Sequence, residues 1–129
     1  MARWFITLGA LCGATAVSLG AFGAHALKAR LPEYQLAIYH TGVEYQFYHA
    51  LGLLLIGLLQ HQRPARSQVL AGWFMFVGIV FFSGSLYVMS LTGIRWLGAI
   101  TPLGGISFVI AWIMLAWAGL GHSEKNQDC

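Results

Sequence analysis

Charged side chains are scarce in this sequence. Only 9% of its 129 residues are Asp, Glu, Lys or Arg, whereas 58% are hydrophobic and the mean hydropathy is +0.70. A soluble domain carries about 25% charged residues, and a folded chain of this length still exposes much of its surface to solvent. The composition therefore excludes a soluble globular domain and indicates an integral membrane protein.

Clusters of basic residues are also absent, although the isoelectric point is near 9.1. The seven basic residues stand singly or in pairs at the ends of apolar blocks: Arg3, Lys28, Arg30, Arg63, Arg66, Arg95 and Lys125. Charges that flank apolar blocks set the orientation of membrane helices. We therefore expect the lipid bilayer as a partner and no nucleic acid.

Cysteines are too few to form a disulfide framework. Cys12 lies inside the first apolar block and Cys129 is the last residue, so we predict no disulfide between them.

Four apolar blocks are each long enough to cross a bilayer, which takes about 20 residues in a helix. They predict spans at about residues 4–27, 40–59, 69–89 and 102–120, in one domain over residues 1–121 with a polar tail at 122–129. The fold class predicted is all-α, a four-helix transmembrane bundle with short loops.

Two of these blocks allow a second interpretation. The first could be a signal peptide ending at Ala24–Ala26, but it exceeds the 7–15 apolar residues of a signal core and is interpreted as a span. In the fourth, Thr101 and Pro102 either begin the helix or Pro102 kinks a longer helix by removing the bond to the Gly98 carbonyl. We prefer a start at Thr101 and Pro102, since the residues that follow are already long enough to span.

Small residues recur along one face of the first and third blocks, a spacing that lets membrane helices approach closely. The glycines predicted to pack against other helices are Gly9, Gly13, Gly20, Gly23, Gly78 and Gly84.

Polar side chains gather at one end of the predicted bundle, where spans 1 and 3 end and spans 2 and 4 begin. This polar cluster, binding or structural, comprises His25, His40, Glu44, Tyr45, Tyr48, His49, Ser83, Ser85, Tyr87, Arg95 and Thr101. Ionisable groups at membrane depth are costly and normally face protein or water. The cluster is therefore the candidate functional site.

Glu44 is the only acidic residue inside a predicted span, so its position in the membrane needs an explanation. His40 and Tyr48 flank it four residues away on the same helix face, while His49 lies about 140° round the helix. The preferred interpretation is a structural clamp in which Arg95, His25 or His40 pairs with Glu44. The alternative is a proton pathway.

The residues of the polar cluster give little indication of a cofactor site or of an enzyme active site. His40 and Glu44 have the spacing of two metal ligands on a helix, but two ligands do not define a metal site. No pair of axial ligands suggests haem, and no nucleophile, base and orienting group occur together. We predict no metal, no cofactor and no enzymatic activity.

Four motifs resemble those of the YgdD-like small membrane protein family (domain of unknown function 423, transmembrane protein 256-like). They are LGAFGAH at 19–25, TGVEYQFYHAL at 41–51, FSGSLY at 82–87 and TPLGG at 101–105, within a resemblance that covers residues 4–120. The resemblance implies a four-helix protein of the bacterial inner membrane and assigns no activity to any residue.

Two functional hypotheses follow. The first is a non-enzymatic membrane component that binds a partner or small ligand in the polar cluster, with a second copy or another membrane protein as partner. The second is a small proton-coupled transporter or channel that uses Glu44. Arg3, Arg63, Arg66 and Lys125 outnumber the three basic residues of the other side, which predicts both termini in the cytoplasm.

Overall fold

A computed structural model describes residues 1–124 of the chain, with the side chains of residues 1–121. This part contains four helical segments long and apolar enough to cross a membrane, here called spans 1 to 4: Ala2–Leu27, Glu33–Gln62, Arg66–Thr92 and Arg95–Gly121. No strand occurs among these residues. The predicted all-α, four-helix transmembrane bundle is confirmed, and residues 125–129 of the predicted polar tail lie outside the described residues.

Two of the spans contain a π-helical turn. Span 1 is an α-helix over Ala2–Phe22 that continues as a π-helical turn over Gly23–Leu27. Span 3 consists of Arg66–Gly78, a π-helical turn over Ile79–Ser83, and Gly84–Thr92. A π-helical turn is wider than an α-helical turn, so it rotates the residues that follow it around the helix axis.

The ends of the spans follow the backbone preferences of proline and glycine. Pro32 precedes span 2 in an extended conformation, with φ −57° and ψ 152°. Gly93 ends span 3 with a φ of 73°, a left-handed conformation that glycine adopts freely, and its N–H donates to the Met89 carbonyl at 2.8 Å. The connections are short, so consecutive spans are antiparallel neighbours.

Pro102 lies in the first turn of a helix. Span 4 begins with a 3₁₀ turn over Arg95–Ala99 and continues in an α-helix over Thr101–Glu124, which extends beyond the end of the span. In a first turn the missing N–H of proline costs nothing, because that group has no partner within the helix. The structure thus favours the first alternative, in which Pro102 helps to begin the helix and does not kink a longer one.

Spans 2 and 3 form the centre of the bundle. In their most apolar stretches 44% of the residues are buried, against 17% in span 1 and 22% in span 4. Span 1 packs mainly on span 2 and span 4 mainly on span 3. The shared apolar core consists of Phe5, Leu53, Ile56, Ala71, Met75, Ile79, Phe108 and Ala111. Spans 1 and 4 therefore present most of the surface that faces lipid.

Candidate functional site

One face of span 2 is buried, and its spacing decides which polar side chains lie inside the bundle. The buried positions alternate three and four residues apart, as on one face of an α-helix, and include Tyr39, Gly42, Gln46, His49, Leu53 and Ile56. Glu44 and Tyr48 lie off this face and are exposed. Span 2 thus turns Gln46 and His49 inward and Glu44 outward.

Gln46 connects three spans. Its Nε2 donates to the Cys12 carbonyl at 2.9 Å and to the Thr15 hydroxyl at 2.7 Å, both in span 1. Its Oε1 accepts a hydrogen bond from the Tyr87 hydroxyl of span 3 at 2.6 Å. Both amide donors and the acceptor oxygen are thus engaged, at a side chain that is only 6% exposed.

Two further hydrogen bonds join span 2 to its neighbours. The Tyr39 hydroxyl donates to the Leu19 carbonyl of span 1 at 2.5 Å, and the Tyr39 ring lies so close to Gly23 that an added Cβ there would overlap it. The Ser83 hydroxyl donates to the Gly42 carbonyl at 2.7 Å. A side chain that bonds a carbonyl of another helix fixes the rotation of both helices.

Hydroxyl groups also join spans 3 and 4. The Ser85 and Thr101 hydroxyls are 2.6 Å apart and hydrogen bonded, and the Ser107 hydroxyl donates to the Phe74 carbonyl at 2.6 Å. We call the interior hydrogen-bonded set the polar network: Tyr39, Gln46, Ser83, Ser85, Tyr87, Thr101 and Ser107. Because its members are already paired, it has the character of a structural device that holds four spans together.

His49 is buried and has no ionic partner among residues 1–121. Its Nδ1 is 2.7 Å from the Tyr45 carbonyl of the preceding turn, which makes Nδ1 the protonated nitrogen when the ring is neutral. The ring stacks on Phe108 of span 4, with centroids 3.5 Å apart and planes 10° apart. The imidazole therefore serves as a flat packing surface between spans 2 and 4.

Glu44 lies in a groove on the outside of the bundle, between spans 1 and 2. This Glu44 groove has a volume of about 300 Å³ and is lined by Ala16, Val17, Gly20, Ala21, Val43, Glu44, Phe47 and Tyr48. Val17 precedes the end of span 1 at Leu27 by ten residues, which is about 15 Å along a helix axis. The groove thus reaches well into the apolar, membrane-spanning part of span 1.

The predicted clamp on Glu44 is wrong for this structure. Within residues 1–121, the Glu44 carboxylate makes no hydrogen bond or ion pair. Glu44 faces the groove beside span 1, whereas Arg95 is exposed in the 3₁₀ turn at the start of span 4. His25 is exposed at the end of span 1, and His40 is half-buried with its ring 6.1 Å from that of Tyr39.

The predicted polar cluster therefore divides into two groups. His49, Ser83, Ser85, Tyr87 and Thr101 lie in the interior, while His25, Glu44, Tyr45, Tyr48 and Arg95 are exposed and His40 lies between the two groups. Tyr45 is 39% exposed and its ring packs on Phe82, with centroids 4.6 Å apart. Of the predicted residues described by the structure, Ser83, Ser85, Tyr87 and Thr101 make side-chain hydrogen bonds across helices, whereas His49 bonds within its own helix.

The predicted packing glycines differ in how closely another helix approaches them. An added Cβ would come within 3.3 Å of a side chain or backbone atom of a neighbouring span at Gly9, Gly20, Gly23 and Gly78. At Gly13 the nearest atom is the Ala50 Cβ at 4.0 Å. At Gly84 no atom lies within 4 Å of an added Cβ, so the predicted packing contact is wrong there, because no helix among residues 1–121 approaches this position closely.

Within residues 1–121, no three His, Cys, Asp or Glu side chains come together in a way that could hold a metal ion. His40 and Glu44, the two candidate ligands four residues apart, have no third ligand beside them, and a protein zinc site uses at least three.

Comparison with known proteins agrees with this architecture. Residues 19–105 match the family model described as a protein of unknown function, DUF423. The chain belongs to this family. The match includes Glu44 and the polar network from Tyr39 to Thr101, and it confirms the resemblance found from the four sequence motifs.

Relatives of this DUF423 protein are named as membrane proteins. The UPF0382 membrane protein YwdK of Bacillus subtilis is 53% identical over 119 residues, which cover 92% of this chain and 97% of the relative. A UPF0382 membrane protein of Staphylococcus haemolyticus is 50% identical over 113 residues, which cover 88% of this chain and 92% of the relative. No solved structure matches the chain.

Sequence reasoning overlooked three residues that this DUF423 chain uses in its interior: Tyr39 as a donor, Gln46 and Ser107. The sequence of span 2 did contain a pattern that indicates its buried face. Tyr39, Gly42, Gln46 and His49 are spaced three, four and three residues apart, which aligns Gln46 with the small residue Gly42 on a packing face. Glu44 drew attention by its charge, yet it lies off that face.

Proposed function

We propose that this chain is a non-enzymatic membrane component that works by binding, and that the Glu44 groove receives a membrane-spanning helix of a partner protein. The partner would supply a hydrogen-bond donor or a cation to the Glu44 carboxylate. One observation carries the proposal: a carboxylate at membrane depth faces outward and is unpaired within residues 1–121.

An acidic side chain near the centre of a lipid-facing helix costs about 2.5–3.5 kcal/mol relative to its place in water. None of the described side chains offsets this cost at Glu44. A helix that fills the groove would exclude lipid from the carboxylate and pair with it, so binding would recover part of that free energy.

The shape of the groove suits a helix. Ala16, Gly20 and Ala21 form its floor on the side of span 1, and small residues let helix backbones approach closely. Span 1 is also the least buried of the four. A second copy of the chain is one candidate partner, because the exposed hydroxyl of Tyr48 could donate to the Glu44 carboxylate of that copy.

Site-specific photocrosslinking in native membranes tests this function. A benzophenone amino acid at Val17, which is 62% exposed in the groove, should give an adduct with one defined protein. Glu44→Gln should reduce that adduct roughly tenfold, because a hydrogen bond to a charged group contributes about that much. The mass of the adduct tells a second copy from a different protein.

The matched control is Val109 on span 4, which is 58% exposed and far from the groove. The same amino acid there should give only lipid adducts. Equal protein crosslinking at Val17 and Val109, or an adduct at Val17 that Glu44→Gln leaves unchanged, would contradict partner binding through the groove.

Proton-coupled transport is the second candidate, and it is favoured by the same unpaired carboxylate. In proteoliposomes holding the purified protein, a pH gradient should then collapse faster than in empty vesicles, and Glu44→Gln should abolish the difference because an amide cannot carry a proton. Partner binding alone predicts no difference from empty vesicles.

We further propose that the protein resides in the bacterial inner (plasma) membrane with both termini in the cytoplasm. Four basic residues on the side of the termini against three on the other side support this orientation. Reporter fusions at Cys129 test it, and a reporter active only outside the cytoplasm would reverse the orientation.

A further inference from the structure

A second cavity lies at the other end of the bundle, where spans 2 and 3 are connected. Its volume is about 290 Å³, and it is lined by Leu59, Gln62, Arg63, Gln68, Leu115, Ala118 and Gly119. It lies between the end of span 2, the start of span 3 and the last turns of span 4, and the ends of membrane helices are where lipid headgroups meet a protein. We call it the headgroup cavity.

Gln68 makes this cavity unusual. The side chain is only 4% exposed, and its buried Oε1 has no hydrogen-bond partner within the described part of the chain. Buried polar atoms are nearly always paired in folded proteins, as Gln46 is in the polar network. The Gln68 side chain lines the cavity, and a rotation of its amide would turn the unpaired oxygen toward a ligand that donates a hydrogen bond.

Arg63 supplies the charge of the cavity. It is exposed at the rim, and its guanidinium makes no ion pair within residues 1–121. Among residues 1–121 no acidic side chain lines the cavity, so we infer that a ligand brings the negative charge. A guanidinium matches the oxygen atoms of a phosphate group in geometry as well as in charge, and the amide of Gln62 adds a second donor beside it.

The remaining wall is apolar. Leu59 of span 2 and Leu115 of span 4 face the same cavity as Arg63. A free phosphate would leave this wall without a partner, whereas the first carbons of an acyl chain would cover it. The ligand class that joins an anionic phosphate, a hydroxyl donor and an acyl chain is a glycerophospholipid with a hydroxylated headgroup.

We propose that the headgroup cavity is a binding site for phosphatidylglycerol. The phosphate is bound by Arg63 and Gln62, and the start of one acyl chain packs on Leu59 and Leu115. A hydroxyl of the headgroup donates to Gln68 Oε1 once the buried amide rotates toward the cavity. This site is independent of the Glu44 groove.

Native mass spectrometry of the purified protein tests the proposal. The protein is exchanged into nanodiscs of phosphatidylglycerol and phosphatidylcholine in equal amounts with identical acyl chains, and then released with its bound lipid. The wild-type protein should retain phosphatidylglycerol in preference to phosphatidylcholine. Arg63→Gln should lower that preference roughly tenfold, because it removes a charged hydrogen bond.

Gln68→Leu is the second variant, and it keeps the test decisive if Arg63→Gln folds poorly. Leu is close in size to Gln and removes the unpaired oxygen, so the protein should fold as well as the wild type while its preference for phosphatidylglycerol falls. The matched control is Arg3→Gln, which removes a cation from the same end of the bundle but not from the cavity.

Three results would overturn the proposal. They are equal retention of the two lipids by the wild-type protein, an effect of Arg3→Gln as large as that of Arg63→Gln, and a Gln68→Leu variant with unchanged preference. Replacing phosphatidylcholine by phosphatidylethanolamine adds a further check, since equal retention of phosphatidylethanolamine would show that the headgroup ammonium, and not a hydroxyl, meets Gln68.

Discussion

Replacing Gln46 by leucine should destabilise the bundle far more than replacing Glu44 by glutamine, although the two positions are two residues apart. Gln46→Leu removes the bonds to the Cys12 carbonyl and the Thr15 hydroxyl in span 1 and the bond from Tyr87 in span 3. Glu44→Gln removes no hydrogen bond or ion pair within residues 1–121.

The structure sets the size of the Gln46 effect. Hydrogen bonds between membrane helices contribute about 0.6 kcal/mol on average. Leaving the half-buried Tyr87 hydroxyl unpaired adds about 1–3 kcal/mol. The Thr15 hydroxyl loses less, because it also donates to carbonyls of its own helix. The free energy of unfolding should therefore fall by about 2–4 kcal/mol in Gln46→Leu and change by less than about 0.5 kcal/mol in Glu44→Gln.

Reversible unfolding in mixed micelles, followed by circular dichroism at increasing SDS, measures both changes. Tyr87→Phe provides the matched partner. Because it removes the same bond from the other side, Gln46→Leu and Tyr87→Phe together should destabilise by less than the sum of the single effects. Equal losses in Gln46→Leu and Glu44→Gln, or strict additivity with Tyr87→Phe, would refute the assignment of Gln46 as the interior connector.

Two further predictions use the same unfolding assay. Gly9→Ala should lower the free energy of unfolding by about 1–3 kcal/mol, because the added Cβ would lie 2.9 Å from the Ala50 carbonyl oxygen. Gly84→Ala has open space around the added Cβ and should be neutral or stabilising, so similar losses at both sites would contradict the packing. Glu44→Gln and Arg95→Gln should be additive because the two side chains are not paired, and a coupling above about 1 kcal/mol would restore the clamp.

The four spans could be predicted from the sequence because membrane helices can be recognised by their length and apolar composition. A stretch of about 20 apolar residues has few other stable forms in a chain with so few charges. The starts and ends of the helices also followed the local backbone preferences of proline and glycine. Pro32 precedes a helix, Gly93 ends one in a left-handed conformation, and Pro102 lies in a first turn.

The sequence did not show in the same way which polar residues lie inside the bundle and which are exposed. Which face of span 2 lies inside depends on contacts with spans 1 and 3, and composition alone does not reveal it. Taking Glu44 as the centre of the inward face followed its charge, whereas packing placed Gly42 and Gln46 there. The π-helical turn over Ile79–Ser83 adds a rotation within span 3 that no residue spacing in the sequence indicates.

Glu44 is exposed on the isolated chain, and we propose that a partner covers it in the membrane. Modification by a hydrophobic carbodiimide, which reacts with carboxyl groups in apolar surroundings, measures this directly when the modified peptide is quantified by mass spectrometry. Glu44 should be modified readily in the purified monomer in detergent and be protected in native membranes. A Glu44 that resists modification in the monomer, or reacts equally in both preparations, would contradict the account.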